Sequence, residues 1–487
     1  MMSADASLQR CEIAVIGSGP GGAITAALLA EAGRNVLLIE EGPYLELDSC
    51  TPFTMEEMVL KYRNGGLTAA FGPVKVQYIE GCCVGGGSEI NSGLYHRTPA
   101  DILQRWTDEF GVEALTERDL RPHFEACETD LSVSYLPGDA PAASLKLRQG
   151  ARRLNWNSLE VPRWFAYDAN IDATMPPKGR RQSMTQTYVP RALRADCRLL
   201  PETRVRRLRR QAAPSRWILD ADRAERGQRP RPITIEAEHV FVCGGAVQTP
   251  AILRRSGITE NVGNSLRLHP MIKLIAHFPE AVNALDMGVP VHQVKEFAPR
   301  ITFGASISTP AYLAIGMKDY PDHAQDLLSE WRHLAVYYAA TLSNGRGSIR
   351  CLPGYRDPLV RYRITEEDLR ELSEALRKLS ELLFEAGATA LYPSVTKNSR
   401  FTSRADLRQL STIVTRERTN LMTVHLFSSC PMGEDRRRCA VNSFGKVHGQ
   451  ESLYVSDASL LCTPPGVNPQ GSIMALARRN ALRFLEG

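Results

Sequence analysis

Ile13-Ala14-Val15-Ile16 runs directly into Gly17-Ser18-Gly19-Pro20-Gly21-Gly22, and these ten residues decide the fold. A short apolar run bounded by glycine predicts a buried strand. Ala23 to Ala32, rich in alanine and leucine, predicts a helix that Gly33 stops. Asn35-Val36-Leu37-Leu38-Ile39-Glu40 then predicts a second strand ending in an acid, which completes a βαβ unit. Within it, Gly17 permits the tight turn and Gly19 lets the backbone approach a pyrophosphate. Gly22 lets the helix pack closely on the strand, so that the helix N-terminus faces the phosphates. Glu40 stands 21 residues after Gly19, near the spacing of an acid that hydrogen-bonds a ribose hydroxyl. A glycine turn without a ligand has no use for an acid at that distance. The fingerprint does not separate FAD from NAD, because both present the same adenosine pyrophosphate to the turn.

The 487 residues, 43% of them hydrophobic, exceed what one globular core usually holds and predict two domains. A net charge of +5 is too small to argue for a nucleic-acid partner. The basic run Arg204-Val205-Arg206-Arg207-Leu208-Arg209-Arg210 has apolar residues interleaved and reads as a strand with a solvated face. Eleven cysteines without any C-x-x-C pair argue against a disulfide framework, a zinc ribbon or an iron–sulfur cluster; no metal site is predicted, and a reducing compartment fits best. The start at Met1-Met2-Ser3 lacks a secretory pattern, and no run of about 18 uncharged apolar residues occurs. A cytoplasmic protein with no membrane span is expected.

Further glycine-rich segments extend the signal. Gly81 to Gly93 contains Gly85-Gly86-Gly87-Ser88-Glu89-Ile90-Asn91, too irregular for an ordinary strand. His239 to Cys243 reads as a buried strand before Gly244-Gly245-Ala246-Val247-Gln248-Thr249-Pro250 and a short helix from Ala251 to Ser256. Leu453 to Ser459 reads as a strand leading to Val467-Asn468-Pro469, and a helix from Ile473 to Leu485 closes the chain. With H-x-x-x-x-C-x-M-G from His425 to Gly433, these segments resemble the glucose-methanol-choline family of flavoprotein oxidoreductases over nearly the whole chain. Gly85 to Asn91, Lys178 to Met184, Leu268-His269-Pro270 and Val467 to Pro469 look most like the branch that includes long-chain alcohol oxidases.

The resemblance implies an α/β fold, with a Rossmann-like FAD-binding domain and an α+β substrate domain carrying an antiparallel sheet. Residues 1–265 and 420–487 would form the discontinuous FAD domain, with a cap or linker region near 45–195, and 266–419 the substrate domain. Gly17, Gly19, Gly22 and Glu40 would hold the ADP half of FAD, and Val205 would meet the adenine. Gly86, Ser88 and Asn91 would lie along the flavin, Asp457 and Ala458 near the ribityl-pyrophosphate, and the backbone at Pro469 against the isoalloxazine. Some family members bind FAD through a histidine; Ile90 stands at that position, so non-covalent FAD is implied. His425 matches the family's active-site base for oxidation of a CH–OH group, and Asn468 the second active-site position.

By residue type alone His425 reads more readily as a core histidine, and Asn468 before a proline as a turn residue; the family match gives both a chemical role. His269 reads as structural, at the border of the substrate cavity. In 266–419, Met271 to Phe278 and Leu334 to Leu342 alternate like strands. Thr365 with Asp368 caps a helix whose Leu369, Leu372, Leu376, Leu379 and Leu383 form an apolar stripe. A long-chain alcohol and a sugar or aminoglycoside hydroxyl both fit as substrate, with oxygen or another acceptor taking the electrons. The family fold also resembles hydroxynitrile lyases, which keep FAD as a structural cofactor, and that alternative stays open at this point.

Overall fold

The computed structural model describes residues 8–167, 179–212, 216–224, 229–285, 288–397 and 399–487; Met1 to Ser3 and Lys178 of the segments discussed above lie outside them. The βαβ unit forms as β1 (Leu8–Ile16), α1 (Pro20–Glu31) and β2 (Val36–Ile39). Pro20 occupies the first turn of α1, where its missing N–H costs nothing, and Gly33 follows the helix at φ +78°. β1 and β2 run parallel, and β1 pairs on its other edge with Arg231–Val242, also in parallel. That long strand pairs antiparallel with Arg216–Arg223 through its first half and parallel with Leu453–Val455 through its end. Thr203–Gln211 extends the sheet antiparallel, and Arg198–Leu200 closes the far edge beside β2, giving seven strands. In Thr203–Gln211 the interleaved pattern resolves as read: Val205 and Leu208 are buried, while Arg207 and Arg209 point outward and pair with Asp220.

The helix after Gly244 differs from its sequence reading, because it spans Gly245–Arg255 and holds Pro250 inside it. Proline leaves the carbonyl four residues back without its helical donor. Here that carbonyl is Ala246 O, and the Ser429 hydroxyl donates to it at 2.6 Å. The last helix likewise begins earlier than read, spanning Gln470–Glu486 with Pro469 at its N-cap.

The second sheet has nine strands, with Met271–His277 and Leu334–Thr341 paired antiparallel at its centre. Its one parallel pair joins Leu421–Thr423 to Val76–Tyr78. The capping box at Thr365 and Asp368 starts the helix Glu366–Glu385, and all five leucines of its stripe are buried in the core of this sheet. Assigned by sheet, Thr68–Ala70, Val76–Tyr78, Ser158–Glu160 and Leu421–Thr423 join the second body although they flank the 266–419 stretch in sequence. Among the described residues no helix is long and apolar enough to cross a membrane.

Candidate active site

Between the two sheets lies a cavity of about 660 Å³, elongated from the glycine turn of β1 to the loop at His425. Gly17, Gly19, Glu40, Gly86, Asn91, Val205, Asp457, Ala458, Asn468, Pro469 and His425 all line it. Gly22 and Ser88 stand behind its wall. A Cβ on Gly22 would lie 1.8 Å from Gly17 O, so this glycine serves helix-to-strand packing. Ser88 is fully buried; it donates to Gly85 O at 2.7 Å and accepts from Met184 N at 3.0 Å, which fixes the glycine-rich turn. Gly21, which motif reading passes over, is equally constrained, since a Cβ there would lie 1.9 Å from Ser456 O.

The turn end is shaped for a ligand that brings its own acceptors. Gly17 has φ +101°, while a Cβ on Gly19 would meet nothing within 4 Å, so the space above it is open to the cavity. Gly245, at φ +82°, is open in the same way at the start of its helix. Glu40 accepts from Ser18 N at 3.0 Å, Ser18 Oγ at 2.7 Å and Gly42 N at 2.9 Å. A carboxylate has about four acceptor positions, so capacity for a hydroxyl remains on the cavity side. Burial pushes its pKa up. Next to Val205, Arg204 Nη1 is buried without a hydrogen-bond partner. Asp457 instead spends its carboxylate on the protein: Gly245 N and Ser459 N each donate at 2.8 Å, so it ties the Gly245 helix to the Leu453–Val455 strand end. Asn91 donates to Gln470 Oε1 at 2.6 Å, locking the glycine-rich segment to the last helix.

At the other end the strand pair Arg267–Leu268 with Leu426–Phe427 sets His269 beside His425. Their imidazoles meet Nδ1 to Nδ1 at 3.1 Å. His425 Nε2 lies 3.3 Å from Asn468 Nδ2, and Asn468 Oδ1 accepts from Gln293 Nε2 at 3.2 Å. Gln293 also donates to the Tyr338 hydroxyl at 3.0 Å. Sequence reading missed Gln293 and Tyr338, which carry no motif. Burial, with the charges of Lys295 and Lys273, pulls the pKa of His425 down to about 3, so the ring is neutral at ordinary pH. A neutral pair with facing Nδ1 atoms shares one proton between them. With His425 as donor, its Nε2 is free to accept; with His269 as donor, the second proton sits on Nε2. The Gly466 N–H at 3.3 Å from His269 Nε2 suits the latter, whereas the Asn468 amide, which can only donate from Nδ2 at 3.3 Å, suits the former, in which His425 Nε2 accepts.

The glycine cradle, the terminal acid and the histidine–asparagine pair thus lie along one cavity. Models described as GMC oxidoreductase match residues 58–271 and 343–477, and one for an NAD(P)-binding Rossmann-like domain matches 15–56. The chain is 38% identical to an uncharacterised GMC-type oxidoreductase of Sinorhizobium fredii over 96% of its own length and 93% of that protein's. It belongs to the GMC oxidoreductase family. A long-chain-alcohol oxidase of Arabidopsis thaliana is more distant, 23% identical over 96% of this chain and 65% of its own. Pyridoxine 4-oxidase from Mesorbium loti shares the fold, with a TM-score of 0.71 at 19% identity over 98% of this chain and 99% of that one. The GMC assignment makes FAD the family cofactor, and the open glycines and the orphaned Arg204 nitrogen fit an adenosine diphosphate at the turn end. The long-chain-alcohol oxidase stands well below the Sinorhizobium relative in identity.

Proposed function

We propose that this GMC oxidoreductase oxidises a primary alcohol to an aldehyde at the His425 end of the cavity. One observation carries the reading: His425 Nε2 and Asn468 Nδ2, 3.3 Å apart, converge on the cavity that starts at the glycine turn. FAD, when bound, supplies the two-electron acceptor for a hydride. His425 Nε2 takes the hydroxyl proton as the carbon gives up its hydride, and the carbon is left as a carbonyl. A placed base typically contributes about 10²–10⁴-fold. Asn468 donates to the substrate oxygen as negative charge develops there, held in place by Gln293. Ile90, lining the cavity without a nucleophilic atom, supports a non-covalently held FAD. Eleven unpaired cysteines support a reducing compartment. A long-chain alcohol and a sugar hydroxyl are both candidate substrates, and oxygen and a quinone-like compound both candidate acceptors.

The experiment is anaerobic mixing of the FAD-loaded protein with aliphatic, aromatic, sterol and sugar alcohols while the visible flavin absorbance is followed. Bleaching by one class supports the reading; a flavin that stays oxidised against every alcohol removes it.

A further inference from the structure

Met271–His277 is apolar except at Lys273 and its terminal histidine. Strand alternation turns Lys273, with Met271 and Ile275, toward the cavity. Its register partner in the neighbouring strand is Tyr338, whose ring centre lies 5.1 Å from Nζ, and Nζ donates to Ser306 Oγ at 2.8 Å. Both partners are neutral. Among the described residues no carboxylate forms an ion pair with this ammonium, and burial moves its pKa down to about 8. A second lysine repeats the pattern, because Lys295 donates to Thr302 Oγ1 at 3.3 Å and is likewise shifted by burial, to about 8. Lys295 borders a separate cavity of about 30 Å³ behind His425 and Asn468, whereas Lys273 faces the main one.

A buried ammonium without a counter-ion is costly, and buried charges are as a rule paired. The hydroxyl and ring around Lys273 satisfy its geometry but leave its charge unbalanced. Both lysines are close enough for their charge to act on His425.

We propose that the alcohol oxidised here carries a carboxylate, which pairs with Lys273 while its hydroxyl lies between His425 and Asn468. The substrate class is then a hydroxy acid and the product an oxo acid; the carboxylate is unchanged, and the electron and proton balance is that of the alcohol oxidation on which this proposal rests. Pairing also removes part of the positive charge that holds His425 down, so the base gains strength when an acid of the right length is seated. A neutral alcohol leaves that charge in place.

The test separates binding from turnover. The FAD-loaded enzyme is titrated calorimetrically with acetate, butanoate and benzoate, each beside its primary amide; none of these can be oxidised at a hydroxyl. The expected result is carboxylate binding at least about tenfold tighter than amide at pH 7, a preference that fades as the pH rises above about 8 and is lost in Lys273→Met. Equal binding of acid and amide by the native enzyme overturns the proposal, as does a preference that survives Lys273→Met. The native comparison and its pH dependence decide the question even if the variant fails to fold. In parallel, 4-hydroxybutanoate and 1-butanol are compared as reductants of the flavin. Selective carboxylate binding with no reduction by either, nor by any alcohol of the panel above, would sink the alcohol reading and leave the anion site standing. Reduction by butanol with no carboxylate selectivity would do the reverse.

Discussion

His269 and His425 face each other Nδ1 to Nδ1 across 3.1 Å, so the proton they share decides whether His425 Nε2 can act as a base. Only the tautomer in which His425 donates leaves Nε2 open. If His425 is the base, as proposed, His269 acts as its positioning residue. His269→Gln keeps an acceptor for the His425 proton, whereas His269→Leu removes it. Stopped-flow reduction should be slowed at least about tenfold in the leucine variant, short of the full contribution of a base, and largely preserved in the glutamine variant. Equal rates in both variants would make the pairing idle.

His425→Ala should retain FAD, since the ring stands at the far end of the cavity from the glycine turn. Flavin reduction should fall by roughly 10²–10⁴-fold. A visible spectrum like that of the native enzyme, together with the lost rate, is the expected pair of readings.

Two glycines of one motif should fail in different ways. Gly19→Val places its side chain where nothing lies within 4 Å, so the protein should fold and purify without FAD. Gly22→Ala drives a Cβ to 1.8 Å from Gly17 O, and helix and strand must part to accept it. Its melting temperature should drop by several degrees even with excess FAD, as overpacking typically costs about 1–3 kcal/mol. Identical melting curves for the two variants would contradict the division.

Acid should weaken the native state at the chemical end of the cavity. Burial pulls His96, whose Nε2 lies 3.1 Å from Gln293 Oε1, and His425 down to about 3 and His269 well below its usual value, so all three fold as neutral rings. The unfolded chain binds protons there below about pH 6.5, so stability falls as the pH drops from that point toward 3. The slope reaches about 1.4 kcal/mol per pH unit for each ring that titrates only on unfolding. Melting temperature measured between pH 7 and pH 5 should decline, and less steeply in His96→Gln. A flat profile would mean that the rings take up protons in the folded protein over the same pH range as in the unfolded chain.

Much of this was readable in the chain itself because the turn chemistry is local. Gly17, Gly19, Gly22 and Glu40 act within one βαβ unit, and spacing alone places them. The Thr365 capping box and its leucine stripe are local too. The start of the Gly245 helix was not readable, because Pro250 is tolerated there only through Ser429, 183 positions away. Gln293 reaches Asn468, and Tyr338 reaches Gln293, through sheet register, which no window of sequence contains. Lys273 did carry a signal: a lone cation among Met271, Ile272, Leu274, Ile275 and Ala276 is out of place in a core strand.

The second sheet takes its first strand from Thr68–Ala70 and a central-edge strand from Leu421–Thr423, while the first sheet waits for Leu453–Val455. As the ribosome releases this chain, the second sheet is complete only when Thr423 has emerged and the first only when Val455 has, out of 487 residues. The nascent protein must therefore carry open strand edges through almost all of its synthesis. A C-terminal truncation that reaches Leu421–Thr423 would strip both bodies at once, so neither can be produced as a simple fragment cut at one point.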